Sequence, residues 1–376
     1  MPRLLAAAAL LVALGSCATA TAPRADAPPA RLALYGYHAW WMGDAWRASA
    51  PHLDGLYYFE LRIDSAGRVA ETPGATLSWR AFAADARRAG LAASPTVTLF
   101  DARTFERLFA SPGSRTRLVD TIARTVEREG GAGANLDVEL FEAVTPAARD
   151  GYAAFVEALA ARLGRSKRLT VFLPAFDPDD AFDEARIARA ATAVIVQGYD
   201  LHWATGPNAG AVAPVRGNGG VNWEAITARY DALGVPRARR LMATPLYGIE
   251  WPTETDRAGS ATRGAGRPMP LAPIDAARLP DIRLDARTLA ARYGLRRDAD
   301  TGTPYYVARD TSGGVRQGWF EDASSLADKA AYVRRAGLGG LVFFPLGYDD
   351  ADLVRAAAGA APNVPARTPE PGRRRG

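Results

Sequence analysis

The chain has 376 residues, 48% hydrophobic and 23% charged, a composition that suits a large folded core and excludes a disordered or fibrous polymer. Its formal charge is only +5, carried almost wholly by arginine with Lys167 and Lys329 the two lysines, and no basic stripe or nucleic-acid motif accompanies it; a nucleic-acid partner is excluded on that ground. Cys17 is the single cysteine, so no disulfide forms within the chain, and His38, His52 and His202 show no metal-ligand spacing.

Residues 1–17 read as an export signal: Arg3 gives a positive start, and Leu4 to Leu14 is an apolar run too short to span a bilayer. Leu14-Gly15-Ser16-Cys17 then fits the bacterial lipoprotein cleavage box, in which Cys17 is lipidated and becomes the first mature residue. Residues 18–30, rich in Ala, Thr and Pro, read as a flexible tether. Residues 362–376 carry four prolines and Arg373-Arg374-Arg375, a disordered basic tail. The expected location is the cell envelope, held to a membrane through the N-terminal lipid only. Ala18 in place of an aspartate after the cysteine points to the outer membrane where the cell has two. A monomer is expected.

Between these ends, residues 31–361 alternate short apolar runs with amphipathic stretches. Strands are expected at Leu32–Gly36, Gly55–Leu61, Ala93–Leu99, Ala134–Glu139, Leu169–Ala175, Ala193–Gly198, Leu241–Leu246 and Gly340–Leu346. Helices are expected at Trp79–Leu91, Arg115–Val126, Trp223–Leu233 and Ser324–Ala336. Another follows Thr145-Pro146, with Tyr152, Phe155, Val156, Leu159 and Leu163 on one face. Eight strand–helix units close most simply into an α/β fold, a (β/α)8 TIM barrel. The surplus, about 249–319, reads as an α+β insertion between strands seven and eight, on the catalytic side. It holds a helix around 286–293 and a hairpin of Tyr305–Ala308 with Val315–Trp319 turning at Asp310–Gly314. No internal repeat is visible.

The segment Gly133-Ala134-Asn135-Leu136-Asp137-Val138-Glu139 carries the chemistry. Alternate strand positions share a side, so Asn135, Asp137 and Glu139 project together from an apolar element. Burying two carboxylates side by side is costly unless one stays protonated, which is a device for acid/base catalysis. On spacing alone, a strand end capping a neighbouring loop explains the pattern equally well. In a barrel of this kind the site lies at the C-terminal strand ends. Those ends hold Tyr37, Trp40, Phe59, Glu60, Gln197, Tyr199, Asp200, Trp203, Tyr247 and Trp251, a set suited to stacking and hydrogen-bonding sugars. Asp177-Pro178-Asp179-Asp180 reads as a loop capping the next helix, not a calcium site. His38 and His202 are placed to approach across the barrel mouth.

Together these motifs resemble glycoside hydrolase family 18, the chitinase-like barrels, and within it the spore-germination and cortex-lytic branch. The family's strand-four signature, Asp-Gly-x-Asp-x-Asp-x-Glu, is matched by Ala132 through Glu139. Tyr199-Asp200-Leu201-His202-Trp203, Gly210–Pro214, Trp319–Ser324 and Gly339–Gly347 follow in the order of that branch. The resemblance implies that Glu139 protonates the glycosidic oxygen and that Asp137 orients the substrate's N-acetyl group, whose oxygen attacks the anomeric carbon. It implies further that Tyr199 holds that group beside Asp200, and that Asn135 hydrogen-bonds Asp137. The implied partner is an N-acetylglucosamine-containing glycan, the reaction retains configuration, and no cofactor takes part. The chain departs from the pattern at Ala132 for an acidic residue, at Gln197 for a methionine, and at Phe344 for the tryptophan that floors the sugar site. Glu142 and Glu60 are alternative donors ranked below Glu139. A barrel that binds glycan without cleaving it is the alternative function. A two-lobed solute-capturing lipoprotein is disfavoured by the eight-unit pattern.

Overall fold

The computed structural model describes residues 32–275, 279, 284–311 and 313–359. The expected signal, tether and basic tail, Cys17 included, lie outside the described residues. No helix among the described residues is long and apolar enough to cross a membrane.

Eight parallel strands run Leu34–Ala39, Gly55–Ile63, Ala92–Leu99, Gly133–Val138, Arg168–Leu173, Ala193–Val196, Arg240–Pro245 and Gly340–Phe344. Each pairs with the next in sequence, and the first pairs with both the second and the eighth, so the sheet closes into the expected (β/α)8 TIM barrel. Seven strands match the expected bounds within two residues. The first runs on to Ala39 because Tyr37, His38 and Ala39 pair with Tyr57, Tyr58 and Phe59. Gly133 opens the fourth strand where a Cβ would lie 1.8 Å from the Arg168 carbonyl oxygen, an approach that only glycine permits.

The helices form for the reasons their sequences suggest. Thr145 caps Pro146–Leu163 by accepting from the Ala148 N–H, with proline preset at the first position. Asp322 and Ser325 cap Ala323–Arg335 reciprocally. The apolar stripe of Pro146–Leu163 buries Tyr152, Phe155, Val156, Leu159 and Leu163 against the barrel wall, as expected. Around the barrel, elements not foreseen include a helix at Ala102–Phe109 capped by Asp101, a helix at Asp352–Ala358, and a short strand Val69–Glu71 folded back on the second barrel strand. Asp177 accepts from the Ala181 and Phe182 N–H groups and so braces the loop ahead of helix Glu184–Ala190, whose N-cap is Asp183.

One apolar layer lies between barrel and helices; a second fills the lumen with Tyr37, Tyr57, Phe172, Ile195, Leu241 and Val342. His38 belongs to the outer layer, stacked on Phe82 at 4.6 Å, and not to the mouth where it was expected near His202. Alternation explains this: Tyr37 takes the lumen side, so His38 must point outward.

The insertion is a five-stranded antiparallel sheet of Tyr247–Thr253, Arg267–Pro270, Arg296–Arg297, Pro304–Arg309 and Val315–Trp319, with helix Ala286–Tyr293. The expected hairpin forms, in register from Tyr305 opposite Trp319 to Arg309 opposite Val315. The sheet begins at Tyr247, one residue after Leu246 and so almost without a break from the seventh barrel strand. Tyr247, Ile249, Trp251 and Trp319 pack on Ala209, Ala211 and Val212 of the segment after the sixth strand. Glu250 takes the other side, accepting from Tyr306 at 2.7 Å and pairing with Arg267 at 3.1 Å.

Candidate active site

Asn135 sits deep in the lumen between Thr96 and Thr170 of the flanking strands. Its Nδ2 donates to the Tyr37 hydroxyl at 3.0 Å and to Thr96 Oγ1 at 3.3 Å, and its Oδ1 accepts from Thr170 Oγ1 at 2.8 Å. The expected hydrogen bond to Asp137 is therefore not what occupies this amide. Two residues along a strand is one layer up the barrel, and the threonines at Asn135's own level claim its amide first.

Asp137 occupies the next layer, between Thr98 and Phe172, and is 5% exposed. Thr98 gives its hydroxyl to Glu60 Oε2 at 2.6 Å, and Asp137 Oδ1 is left buried without a hydrogen-bond partner. Burial first, then the negative charges of Glu139 and Glu60, push its carboxyl well above the usual range. Glu139 lies just beyond the strand end, half-buried, its backbone N–H bonded to the Leu99 carbonyl at 3.2 Å. Burial and then the charge of Asp200 push Glu139 up to about 7. This carboxyl therefore carries a proton for a good part of the time at neutral pH.

Asp200 is turned toward that carboxyl by a left-handed backbone (φ 56) at the end of the sixth strand, and Tyr247 donates to its Oδ1 at 2.7 Å. Tyr199 lies beside it, its ring near-parallel to Phe344 at 6.3 Å and edge-on to Tyr247 at 6.1 Å. Burial, then the charges of Glu139, Asp137 and Asp200, push the Tyr199 hydroxyl well up, which keeps it a hydrogen-bond donor. Phe344 and Phe59 meet edge-on at 5.3 Å, with Tyr37 beneath them, and make the apolar floor.

Two cavities lie at this end of the barrel and share Asp200. One, of about 250 Å³, is lined by Trp41, Tyr247, Ile249, Phe344 and Tyr348 among others. The other, of about 650 Å³, is lined by Glu139, Phe141, Phe176, Gln197, Tyr199 and Trp203 among others. Most of the expected site residues thus converge: Glu139, Tyr199, Asp200, Gln197, Trp203, Tyr247 and Phe344 line the cleft, with Asp137, Phe59 and Tyr37 under it.

Three expected sugar contacts are corrected. Trp251 is 0% exposed, and its indole N–H is directed at the Trp203 and Ala204 carbonyls at 3.3 and 3.1 Å, so it holds the wall from behind. Glu60 is 1% exposed and bound by Arg62, Thr72 and Thr98, which leaves it a charge acting on Asp137 and no donor to substrate. Trp40 packs against the outer core, and its neighbour Trp41 lies edge-on to Phe59 at the cleft instead. Glu142 is exposed and is not among the lining residues. Phe141, Phe176 and Tyr348 were missed; Phe141 carried a signal, standing two residues beyond Glu139 on the same alternation. Among the described residues no group of three His, Cys, Asp or Glu side chains is placed to hold a metal ion.

Comparison with known proteins agrees with this geometry. The sequence profile described as Glycosyl hydrolases family 18 matches residues 100–349. A provisionally named sporulation-specific glycosylase of Bacillus subtilis (strain 168), YdhD, is 25% identical over 301 residues, which cover 76% of this chain and 64% of that protein. The chain thus spans less than two thirds of that relative's length. The spore cortex-lytic enzyme SleL of Bacillus cereus superposes with a TM-score of 0.70 at 20% identity, over 88% of this chain and 74% of that one. A Cycas revoluta family chitinase in complex with (GlcNAc)3 gives 0.72 at 19% identity, over 87% and 99%. The structural likenesses establish the fold, and the profile, which runs from the end of the third strand past the eighth and takes in every carboxyl that converges on the cleft apart from Glu60, establishes the lineage: the chain belongs to glycosyl hydrolases family 18.

Proposed function

We propose that this protein hydrolyses β-1,4-linked N-acetylglucosamine-containing glycans, peptidoglycan or chitooligosaccharides, by substrate-assisted retaining catalysis. The observation that carries the reading is Glu139, half-buried at the mouth of the cleft and held protonated near neutrality by burial and Asp200. Its proton passes to the glycosidic oxygen as that bond breaks. The substrate's own acetamido oxygen forms the new bond at the anomeric carbon, and water then opens the cyclic intermediate with Glu139 now acting as base. The free Oδ1 of Asp137 supplies the acceptor that the acetamido N–H needs, and the Tyr199 hydroxyl supplies a donor to its oxygen. Phe344 and Phe59 give the reacting sugar an apolar surface. The scheme calls for neither metal nor organic cofactor.

The proposal includes action as a monomer in the cell envelope, attached through a lipid on Cys17; the pattern of residues 1–17 supports that attachment. Labelling with a radioactive fatty acid tests it, with label expected on the native chain and none on Cys17→Ala.

The catalytic reading is tested by comparing the native protein with Glu139→Gln on chitooligosaccharides and purified peptidoglycan, products being read by mass spectrometry. A loss of about 10²- to 10⁴-fold is expected on glycans whose leaving sugar needs a proton. Equal product from both proteins refutes the role of Glu139. Binding with no turnover by the native protein supports a glycan-binding barrel instead.

A further inference from the structure

The chain carries 46 lysines and arginines, yet among the described residues no Lys, Arg or His lines either cavity of the cleft, whereas Glu139 and Asp200 do. Asp137 and Glu60 are buried just beneath. Arg62, paired with Glu60 at 2.6 Å, lines neither cavity. In so arginine-rich a chain, a cleft whose described lining holds acids and no bases is a property of the site.

Phe344 and Tyr247 line the smaller cavity, Glu139 and Tyr199 the larger, and Asp200 both, so on the hydrolase reading the reacting sugar lies where the two meet. A general acid must stand on the side of the oxygen it protonates, so the part of the larger cavity beyond Glu139, toward Phe141, Phe176 and Trp203, is the side of the departing sugar. That cavity offers aromatic surface in place of ion pairs: Phe141 is 85% exposed, Trp203 50% and Phe176 40%, a cluster that stays wet until something stacks on it.

Resting on the hydrolase reading above, we propose that this part of the larger cavity is a charge-selective leaving-side subsite, which accepts an uncharged or amine-bearing sugar and turns away one with a free carboxylate. N-acetylglucosamine, its de-N-acetylated form, and a muramic residue whose lactyl carboxyl is closed as an amide all qualify. A muramic residue with a free lactyl carboxylate brings a negative charge beside Asp200 and Glu139, with no counter-charge among the described lining residues. At an effective dielectric near 20, a like charge about 10 Å away is enough for roughly a tenfold penalty. A sugar ammonium meets the opposite sign and is tolerated at that position, whereas the reacting sugar must keep its acetyl group.

The test uses the full chain and three glycans with N-acetylglucosamine at the reacting position. Their leaving sugar is N-acetylglucosamine, N-acetylmuramic acid with a free lactyl carboxylate, or the same residue as its methyl amide. At low salt the amide is expected to show kcat/KM at least about tenfold above the free acid, with the gap closing in about 0.5 M NaCl. Thr205→Arg, which adds a cation to the lining, narrows that ratio several-fold. Equal rates for acid and amide, or a faster acid, overturn the proposal. Binding of the same pair to Glu139→Gln separates this inference from the catalytic one. Tighter binding of the amide, with no turnover of any glycan by the native chain, keeps the charge selection and removes the hydrolase. Binding of neither glycan overturns both.

Discussion

Replacing Asp200 by asparagine isolates the second of the two forces that keep Glu139 protonated. The Glu139 carboxyl rises from an ordinary 4.5 to about 7, with burial the larger cause and Asp200 the smaller. Asp200, the smaller cause, accounts for less than half of that rise, so its neutralisation lowers Glu139 by at most about one pH unit. Asparagine keeps an oxygen for the Tyr247 hydroxyl, so the 2.7 Å hydrogen bond has a successor and the turn is preserved. A general acid works in its protonated form, present below its pKa and lost as pH rises through it. At about pH 7 the protonated fraction falls from about one half toward about one tenth at the limit, and kcat/KM on chitotetraose falls by up to about fivefold. At about pH 5 both proteins are protonated and the difference largely closes. The assay is kcat/KM against pH by reducing-end detection, and the alkaline limb is expected to move acidward by up to about one unit. A limb fixed near pH 7, with a uniform loss at every pH, means that Asp200 acts through substrate contact alone and refutes the electrostatic account.

Two further outcomes follow from buried charges. Asp137 has a folded-state pKa raised above its unfolded value, so its contribution to stability is fully present at low pH and is lost as pH rises through the folded value. Asp137→Asn therefore stabilises the fold at neutral pH by about 1–3 kcal/mol, while hydrolysis drops at least a hundredfold. Thermal melts at neutral pH and near pH 4 check this, and a gain that persists undiminished in acid contradicts it. Lys329 and Glu321 form an ion pair at 2.7 Å with both side chains almost wholly buried. Lys329→Met strands the carboxylate and costs about 3–5 kcal/mol in urea unfolding. A loss under about 1 kcal/mol means that the Ser325 hydroxyl, which also bonds Glu321, suffices.

The barrel was legible because each of its strands is an apolar run bounded by turn residues and each long helix carries one apolar stripe. Thr145-Pro146 announced a helix start, since a cap is a local interaction that neighbouring residues determine by themselves. The acids of the fourth strand were legible for the same reason: period-two alternation needs no knowledge of what lies across the barrel. What failed depended on distant chain. Trp251 looks like a cleft aromatic until a second sheet is laid on the loop after strand six, which makes it interior. Asn135 looks like a partner for Asp137 until Thr96 and Thr170 arrive at its level from strands 39 and 35 residues away in sequence. Trp40 and Trp41 are indistinguishable as text; the turn that ends the first strand sends one into the helix layer and the other to the mouth.

The ribbon from Tyr247 to Thr253 leaves the barrel as a wall of the cleft and ends as the spine of the appended sheet. Its first residue steadies Asp200, and its fifth pins the backbone around Trp203. A version trimmed to the bare barrel would forfeit the clamp on the acid's neighbour along with the appendage. Mild heating that loosens the appendage first would silence turnover while the eight-stranded cylinder still stands. For engineering, exchanging this module with another family member transplants part of the reaction centre, so the natural cut lies before residue 247 and never within the ribbon.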